Sequence, residues 1–274
     1  MKKINYLFVL SALMLVASGC DKINIDETHK PYTPPVGNKT VLIKDFTGAR
    51  CVNCPAAAEY AHQLQHTLGE DRIFILSIHA GFQAQPMGNF PDFTTEEGTQ
   101  WYNDNNANPL FSVDHVALTE GNTLNETQLD VSVSKALNEA QLFDITITNA
   151  YDETTRNLDV ENLISPTGDG NGNYYATVCL VEDSLVGWQK VPTSTEFPQG
   201  LNQEYVFRNV FRGTLNGADG ELVSNGQFYV TDSFKTNCSM VLDTTFNADQ
   251  CYIMTYVYDK SDGKILQTAM EKVK

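Results

Sequence analysis

The spacing of apolar residues changes along the chain, and each change predicts a different element. Residues 6–16 are a short apolar run behind Lys2 and Lys3. The run falls short of the roughly 20 apolar residues that span a hydrocarbon core. No later stretch approaches that length, so no transmembrane helix is expected. The stretch up to residue 37 has no sustained period and carries Pro31, Pro34, Pro35 and Gly37. It reads as an extended tether, rising about 3 Å per residue. Val41, Leu42 and Ile43 then predict a short strand. Ala57, Tyr60 or Ala61, Leu64 and Leu68 follow at helical spacing, with Gly69 as the stop. Residues 73–78 are the continuous apolar run of a strand buried on both faces. Residues 111–118 predict another strand and residues 126–140 a closing helix.

From Leu142 onward the period becomes two. Phe143, Ile145 and Ile147 alternate with Asp144, Thr146 and Thr148. Strand-like runs recur at residues 158–164, 174–182, 205–212, 227–231, 239–242 and 251–258, and Asp262-Gly263 turns the chain into residues 264–270. About eight strands with glycine-rich turns and no helical period predict a β-sandwich. Asp169-Gly170-Asn171-Gly172-Asn173 lacks the glycine and glutamate positions of a calcium loop and is expected to be a turn.

The amino terminus has the three parts of an export signal: Lys2 and Lys3, the apolar run, and the small residues Ala17, Ser18 and Gly19. Ala17-Ser18-Gly19-Cys20 resembles the lipobox of bacterial lipoproteins, with Ala17 where leucine is usual. That resemblance implies that Cys20 becomes the first mature residue and carries acyl chains, which together hold a soluble body firmly to a membrane. Removing residues 1–19 takes away two lysines and no acids. The mature chain then has 16 basic and 34 acidic side chains, net −18. Such a charge argues against nucleic acid as a partner and against electrostatic adhesion to anionic lipid.

Five cysteines lie beyond Cys20, in a compartment that permits disulfides. Cys51 and Cys54 sit between a strand and a helix, the context of a redox Cys-x-x-Cys pair. There Cys51 would face the unpaired N–H groups of the helix start, beside Arg50, and would be the exposed thiol of lowered pKa. Cys54, one turn on, could resolve a mixed disulfide formed at Cys51. A static disulfide and a metal pair remain the alternatives. His62 and His66 are i, i+4 on the helix, but no local cysteine or carboxylate pattern completes a metal site, and no metal or cofactor is expected. His79, at the end of the buried strand, is expected to play a structural hydrogen-bonding role. Cys238 and Cys251 lie at facing ends of a possible hairpin and could pair. Cys179, inside an apolar strand, is expected to be a buried free thiol.

Asp45-Phe46, the Cys51/Cys54 pair with Pro55, and Asn108-Pro109 before the next strand together resemble thioredoxin-like proteins. The resemblance implies that Asp45 assists proton transfer and that Pro109 is a cis-proline shaping a peptide groove. Thr47 and Arg50 depart from the usual aromatics. Residues 81–100, with Pro86 and Pro91, form an insertion that is either a partner-binding lid or a surface loop.

Phe46-Thr47-Gly48, Cys51, Cys54-Pro55, the segment from Tyr205 to Arg212, and the stretch from Tyr252 to Met270 resemble a lipoprotein family named for a 28-kilodalton outer membrane protein. Phe207 stands where that family often has histidine. The resemblance implies an outer membrane lipoprotein of the cell envelope, in the periplasmic or the surface leaflet. Its body would combine an α/β thioredoxin-like domain with an all-β, immunoglobulin-like sandwich. The expected organisation is a lipoprotein signal peptide at residues 1–19, a lipidated tether at 20–37, the thioredoxin-like domain at 38–140 and the sandwich at 141–274. The leading functional expectation is a binding or spacing sandwich beside a thioredoxin-like domain whose activity the sequence leaves open. The alternative is an envelope thiol–disulfide oxidoreductase using Cys51, Cys54, Asp45 and Pro109. Expected partners are the membrane, through Cys20, and envelope or secreted proteins.

Overall fold

The computed structural model describes residues 38–102 and 108–274. The export signal, Cys20 and the tether lie outside the described residues. Strand β1 (Val41–Thr47) pairs in parallel with β2 (Ile73–His79), and helix α1 (Cys54–Leu68) makes the crossover. Helix α1 forms because Pro55 sits in its first turn and because Ala57 and Ala61 recur on one face. It stops at Gly69, whose φ of 129° few other residues adopt. Its buried face packs on Val41, Ile43, Ile73 and Ile75. Strand β3 (Leu110–Val113) follows the cis Asn108–Pro109 bond and pairs antiparallel to β1. It is shorter than residues 111–118 because Asp114 turns to a φ of 52°. Helix α3 (Glu126–Leu137) begins at a capping box made by Asn125 and Gln128.

The insertion is not a simple surface loop. It contains a 3-10 turn at Phe82–Ala84 and a short helix, α2 (Glu96–Trp101), which drives Trp101 and Tyr102 into the core.

Ten strands follow where about eight are expected. Strands β4 (Phe143–Tyr151), β5 (Asn157–Pro166) and β11 (Phe234–Val241) make a three-stranded sheet. Strands β6 (Gly170–Glu182), β9 (Val210–Thr214), β10 (Glu221–Phe228), β12 (Cys251–Asp259) and β13 (Ile265–Lys272) join β1, β2 and β3 in an eight-stranded mixed sheet ordered β13-β12-β6-β9-β2-β1-β3, with β10 also on β6. Strands β7 (Leu185–Lys190) and β8 (Leu201–Phe207) form a separate hairpin. The fold is thus mostly β. The sequence boundary at residue 140 separates α3 from β4, yet strands from both sides of it share one sheet. The join is Ser77 on β2, whose N–H donates to the Asn209 carbonyl at 2.8 Å and which pairs with Val210.

One face of the large sheet carries Leu42, Phe46, Leu76, Ile78, Cys179, Val181, Met254 and Tyr256 in a single apolar cluster under Trp101 and Phe211. The opposite face is covered by α1 and α3 at one end and by β4, β5 and β11 at the other. Lys44 shares the first face and is fully buried there. Its Nζ donates to the Val116 carbonyl at 2.7 Å and to the Tyr256 hydroxyl at 3.2 Å, and lies 3.8 Å from the centre of the Trp101 ring. Burial pulls its pKa down to about 7.

Three local expectations are corrected. Residues 205–212 are not one strand: Asn209, at a φ of 51°, breaks them into β8 and β9, which belong to different sheets. Asparagine tolerates this left-handed conformation better than most residues. Residues 169–173 are mostly the start of β6 instead of a turn, because the Phe228 ring packs over Gly170, where a Cβ would come within 2.3 Å of it. Cys238 and Cys251 are not bonded to each other; they sit on β11 and β12, in different sheets. Cys179 is, as expected, a buried free thiol.

Candidate functional site

The face of β1 and β2 turned toward α1 changes character halfway along. On β1, Val41 and Ile43 give way to Asp45 and Thr47; on β2, Ile73 and Ile75 give way to Ser77 and His79. In-register pairing sets Asp45 beside Ser77 and Thr47 beside His79. Because side chains alternate across a strand, these four polar groups line up under the start of α1. The same region holds the disulfide between Cys51 and Cys54, whose Cα atoms are 5.4 Å apart.

A cavity of about 350 Å³ opens there, lined by Asp45, Cys54, Ser77, His79, Gln189 and Tyr205 among others. Asp45 is 1% exposed, and its Oδ1 has no hydrogen-bond partner among the described residues. Burial, assisted by the charge of Glu126, raises its pKa to about 7. His79 is 2% exposed. Neither of its ring nitrogens has a hydrogen-bond partner among the described residues, which corrects the expected hydrogen-bonding role. Aromatic edges hold the ring instead, with Phe93 at 5.0 Å and Phe207 at 5.5 Å. Burial and the nearby Arg212 charge push its pKa down to about 3, so the ring is neutral at physiological pH.

Cys51 is not the exposed thiol that its sequence position suggests. It is 1% exposed and Cys54 2% exposed. Two segments distant in sequence cover them. The Gln189 side-chain amide donates to the Cys51 carbonyl at 2.8 Å, and the Lys190 N–H donates to the Ala49 carbonyl at 2.8 Å. From the insertion, the Gln83 carbonyl accepts the Arg50 N–H at 3.0 Å. That approach requires Gly48, where a Cβ would meet the Gln83 backbone at 2.6 Å. Arg50 itself turns outward, its guanidinium 4.7 Å from the centre of the Phe82 ring. Of the two cysteines, Cys54 borders the cavity and Cys51 does not.

The Asn108–Pro109 bond is cis, and the Asn108 side-chain amide donates to the carbonyls of Thr47 and Ala80 at 2.8 and 2.9 Å. Asn108 thereby ties together the chain ends of β1 and β2. Pro109 is not part of the cavity wall. His62 borders the cavity, while His66 is exposed and paired with Glu70 at 2.8 Å. Among the described residues no group of three or more His, Cys, Asp or Glu side chains could hold a metal ion. Also among the described residues, no helix is long and apolar enough to cross a membrane. Sequence reasoning missed Gln189, β7 and the β7–β8 pairing; of the hairpin only residues 205–207 fall in an expected strand run. The only local hint was the pair of valines at its register partners Val186 and Val206.

The profile of the outer membrane protein Omp28 family matches residues 113–274, more than half of the chain. The chain belongs to the Omp28 family. It is accordingly an outer membrane protein. The match starts at Val113, the last residue of β3, and takes in α3 and β4 to β13, so it includes Gln189 but not β1, β2 or the disulfide. Among solved structures, HBP35 of Porphyromonas gingivalis is similar in fold, with a TM-score of 0.63 over 87% of this chain and 76% of that one, at 13% identity. A domain of the outer membrane lipoprotein Omp28 from Porphyromonas gingivalis aligns over 49% of this chain and 89% of its own length, with 17% identity and a TM-score of 0.30. No curated protein matches the sequence.

Proposed function

We propose that this member of the Omp28 family is a lipoprotein anchored through Cys20. Its residues 38–140 form a thioredoxin-like unit that carries out thiol–disulfide exchange, and its residues 141–274 form an immunoglobulin-like sandwich that covers the site and engages partners. The observation that carries the proposal is the shared cavity of Asp45 and Cys54. A buried carboxyl with a pKa of about 7 can give a proton to the leaving Cys54 thiolate and take it back near neutral pH. Cys51 is then the sulfur attacked, Cys54 the resolving thiol, and Pro109 shapes the groove. The expected substrates are envelope or secreted proteins, on the periplasmic or the surface side of the membrane.

Exchange at Cys51 requires the β7–β8 hairpin to move, because Gln189 and Lys190 lie over it. That burial favours a second possibility, a binding or spacing lipoprotein in which the disulfide is an idle staple. Cys54→Ser separates the two. The redox function predicts mixed disulfides with envelope proteins, seen on non-reducing gels and lost when Cys51 is also replaced. A variant that traps nothing, with Cys51 inert to thiol reagents in the folded chain, would leave the staple.

A further inference from the structure

We propose that the free edge of β8 takes an extended segment of a partner polypeptide as an added strand, laid in the groove between β8 and α1 beside Cys54. The inference rests on the function proposed above, for which it names how the partner is held. Strands β7 and β8 make a sheet of two, and among the described residues no strand pairs with the outer edge of β8. A two-stranded hairpin is marginal by itself, and a third strand is what such a sheet lacks. The edge is accessible: Gln203, Glu204 and Val206 are exposed.

The cavity shows which way that edge points. Side chains alternate across a strand, so a space lying against one face of β8 would touch every second residue. The cavity touches residues 204–208 one after another, and it therefore lies along the edge. Five residues at roughly 3.3 Å each make about 15 Å of strand. The opposite wall is one face of α1, from Cys54 to His62. The Glu204 N–H marks the free side. It donates to the Asn202 side-chain oxygen at 2.9 Å and has no register partner on β7, so an incoming carbonyl can take the place of that oxygen. The floor holds Asp45, 1% exposed, whose Oδ1 has no donor among the described residues. Glu59 and Glu204, on the two walls, stand against Arg208 at one end. Main-chain hydrogen bonds along β8 supply the affinity, and the three carboxyls favour a segment carrying lysine or arginine over an acidic one.

The test uses the mature chain, residues 20–274, with Cys20→Ala to keep it in solution. The probes are two labelled peptides of about ten residues, one alternating threonine with lysine and the other threonine with glutamate. Binding is read by fluorescence anisotropy and by backbone hydrogen exchange. The lysine peptide is expected to bind at least about tenfold more tightly than the glutamate peptide and to slow exchange of the Glu204 amide. Successive amides of a strand point to opposite edges, so methylating all its threonine amides or all its lysine amides is expected to abolish binding in one case and spare it in the other. Glu204→Pro removes an edge donor without touching a β7 pair. It is expected to weaken binding by about tenfold beyond Glu204→Gln, which removes only the charge. Equal losses for the two substitutions, with both methylated peptides still bound, overturn strand addition. Dimers that Glu204→Pro dissociates, in a chain that binds neither peptide, overturn it in favour of a second copy. Binding that appears only after residues 21–37 are removed overturns it in favour of the chain's own tether. Should Glu204→Pro not fold, the methylated peptides and hydrogen exchange decide on the wild-type edge. Trapping by Cys54→Ser is run beside these. Failure at the edge with trapping intact overturns the added strand and leaves the exchange function standing, whereas peptide binding without trapping supports the edge and removes the exchange.

Discussion

Gln189 and Cys51 are 138 residues apart in sequence, yet the glutamine side-chain amide donates to the cysteine carbonyl at 2.8 Å, with both residues buried. This bond holds the β7–β8 hairpin over the disulfide. Gln189→Ala leaves the carbonyl without its partner and should cost about 1–3 kcal/mol of stability. It should also loosen the cover, so that the Cys51–Cys54 disulfide is reduced faster by a small thiol while the fold persists. Thermal melting and timed thiol labelling check both effects. An unchanged reduction rate in a destabilised variant would show that the hairpin does not limit access.

Lys44 makes stability depend on pH. Its folded-state pKa of about 7 lies below the 10.5 of an unperturbed lysine, so between those values the unfolded chain holds the extra proton. Stability contributed by this site therefore rises as pH increases from about 7 toward 10.5. The Trp101 and Tyr256 rings and the Val116 carbonyl soften the burial penalty without removing it. Lys44→Met keeps the length of the side chain and abolishes the titration. Chemical denaturation at several pH values should show a flatter slope in that window and a more stable variant at pH 7. An identical slope in variant and wild type would place the titration elsewhere.

The shared sheet makes the two halves of the body depend on each other. Expressed alone, residues 142–274 would uncover Cys179, Val181, Phe211, Met254 and Tyr256, which in the whole chain share one cluster with Trp101, Tyr102 and Leu118 and continue the sheet face of Leu42, Phe46, Leu76 and Ile78. They would also free the edge of β9 that meets β2. The fragment should bind an apolar dye and self-associate, and co-expression with residues 38–141 should suppress both. A monomeric, dye-negative fragment melting at the temperature of the full chain would contradict this dependence.

Anchoring is expected to depend on one atom, the sulfur of Cys20. Cys20→Ala should abolish incorporation of labelled fatty acid and release the protein from the membrane fraction. Undiminished labelling in the variant would mean that the lipid is elsewhere.

The sequence by itself determined whatever a few neighbouring residues can decide. The apolar run before Ala17-Ser18-Gly19-Cys20 predicts export. Pro55 and the spacing of Ala57 and Ala61 make α1, and Asn125 with Gln128 starts α3. Strict alternation from Phe143 makes β4. The change from Val41 and Ile43 to Asp45 and Thr47, and from Ile73 and Ile75 to Ser77 and His79, becomes a polar cavity only through the in-register pairing of β1 with β2. Strand partners were not legible, because a period of two says which face is buried and not against what. Only tertiary structure decided that β9 lies between β2 and β6, and that Asn209 breaks a run with continuous β propensity. It also decided that a lysine is caged by Trp101 and Tyr256, and that Cys51, placed by its motif to be exposed, is sealed by a glutamine from the other half of the chain. Long-range burial outweighs local preference at such places, because a side chain's accessibility is set by everything that packs on it and local sequence records only its nearest neighbours.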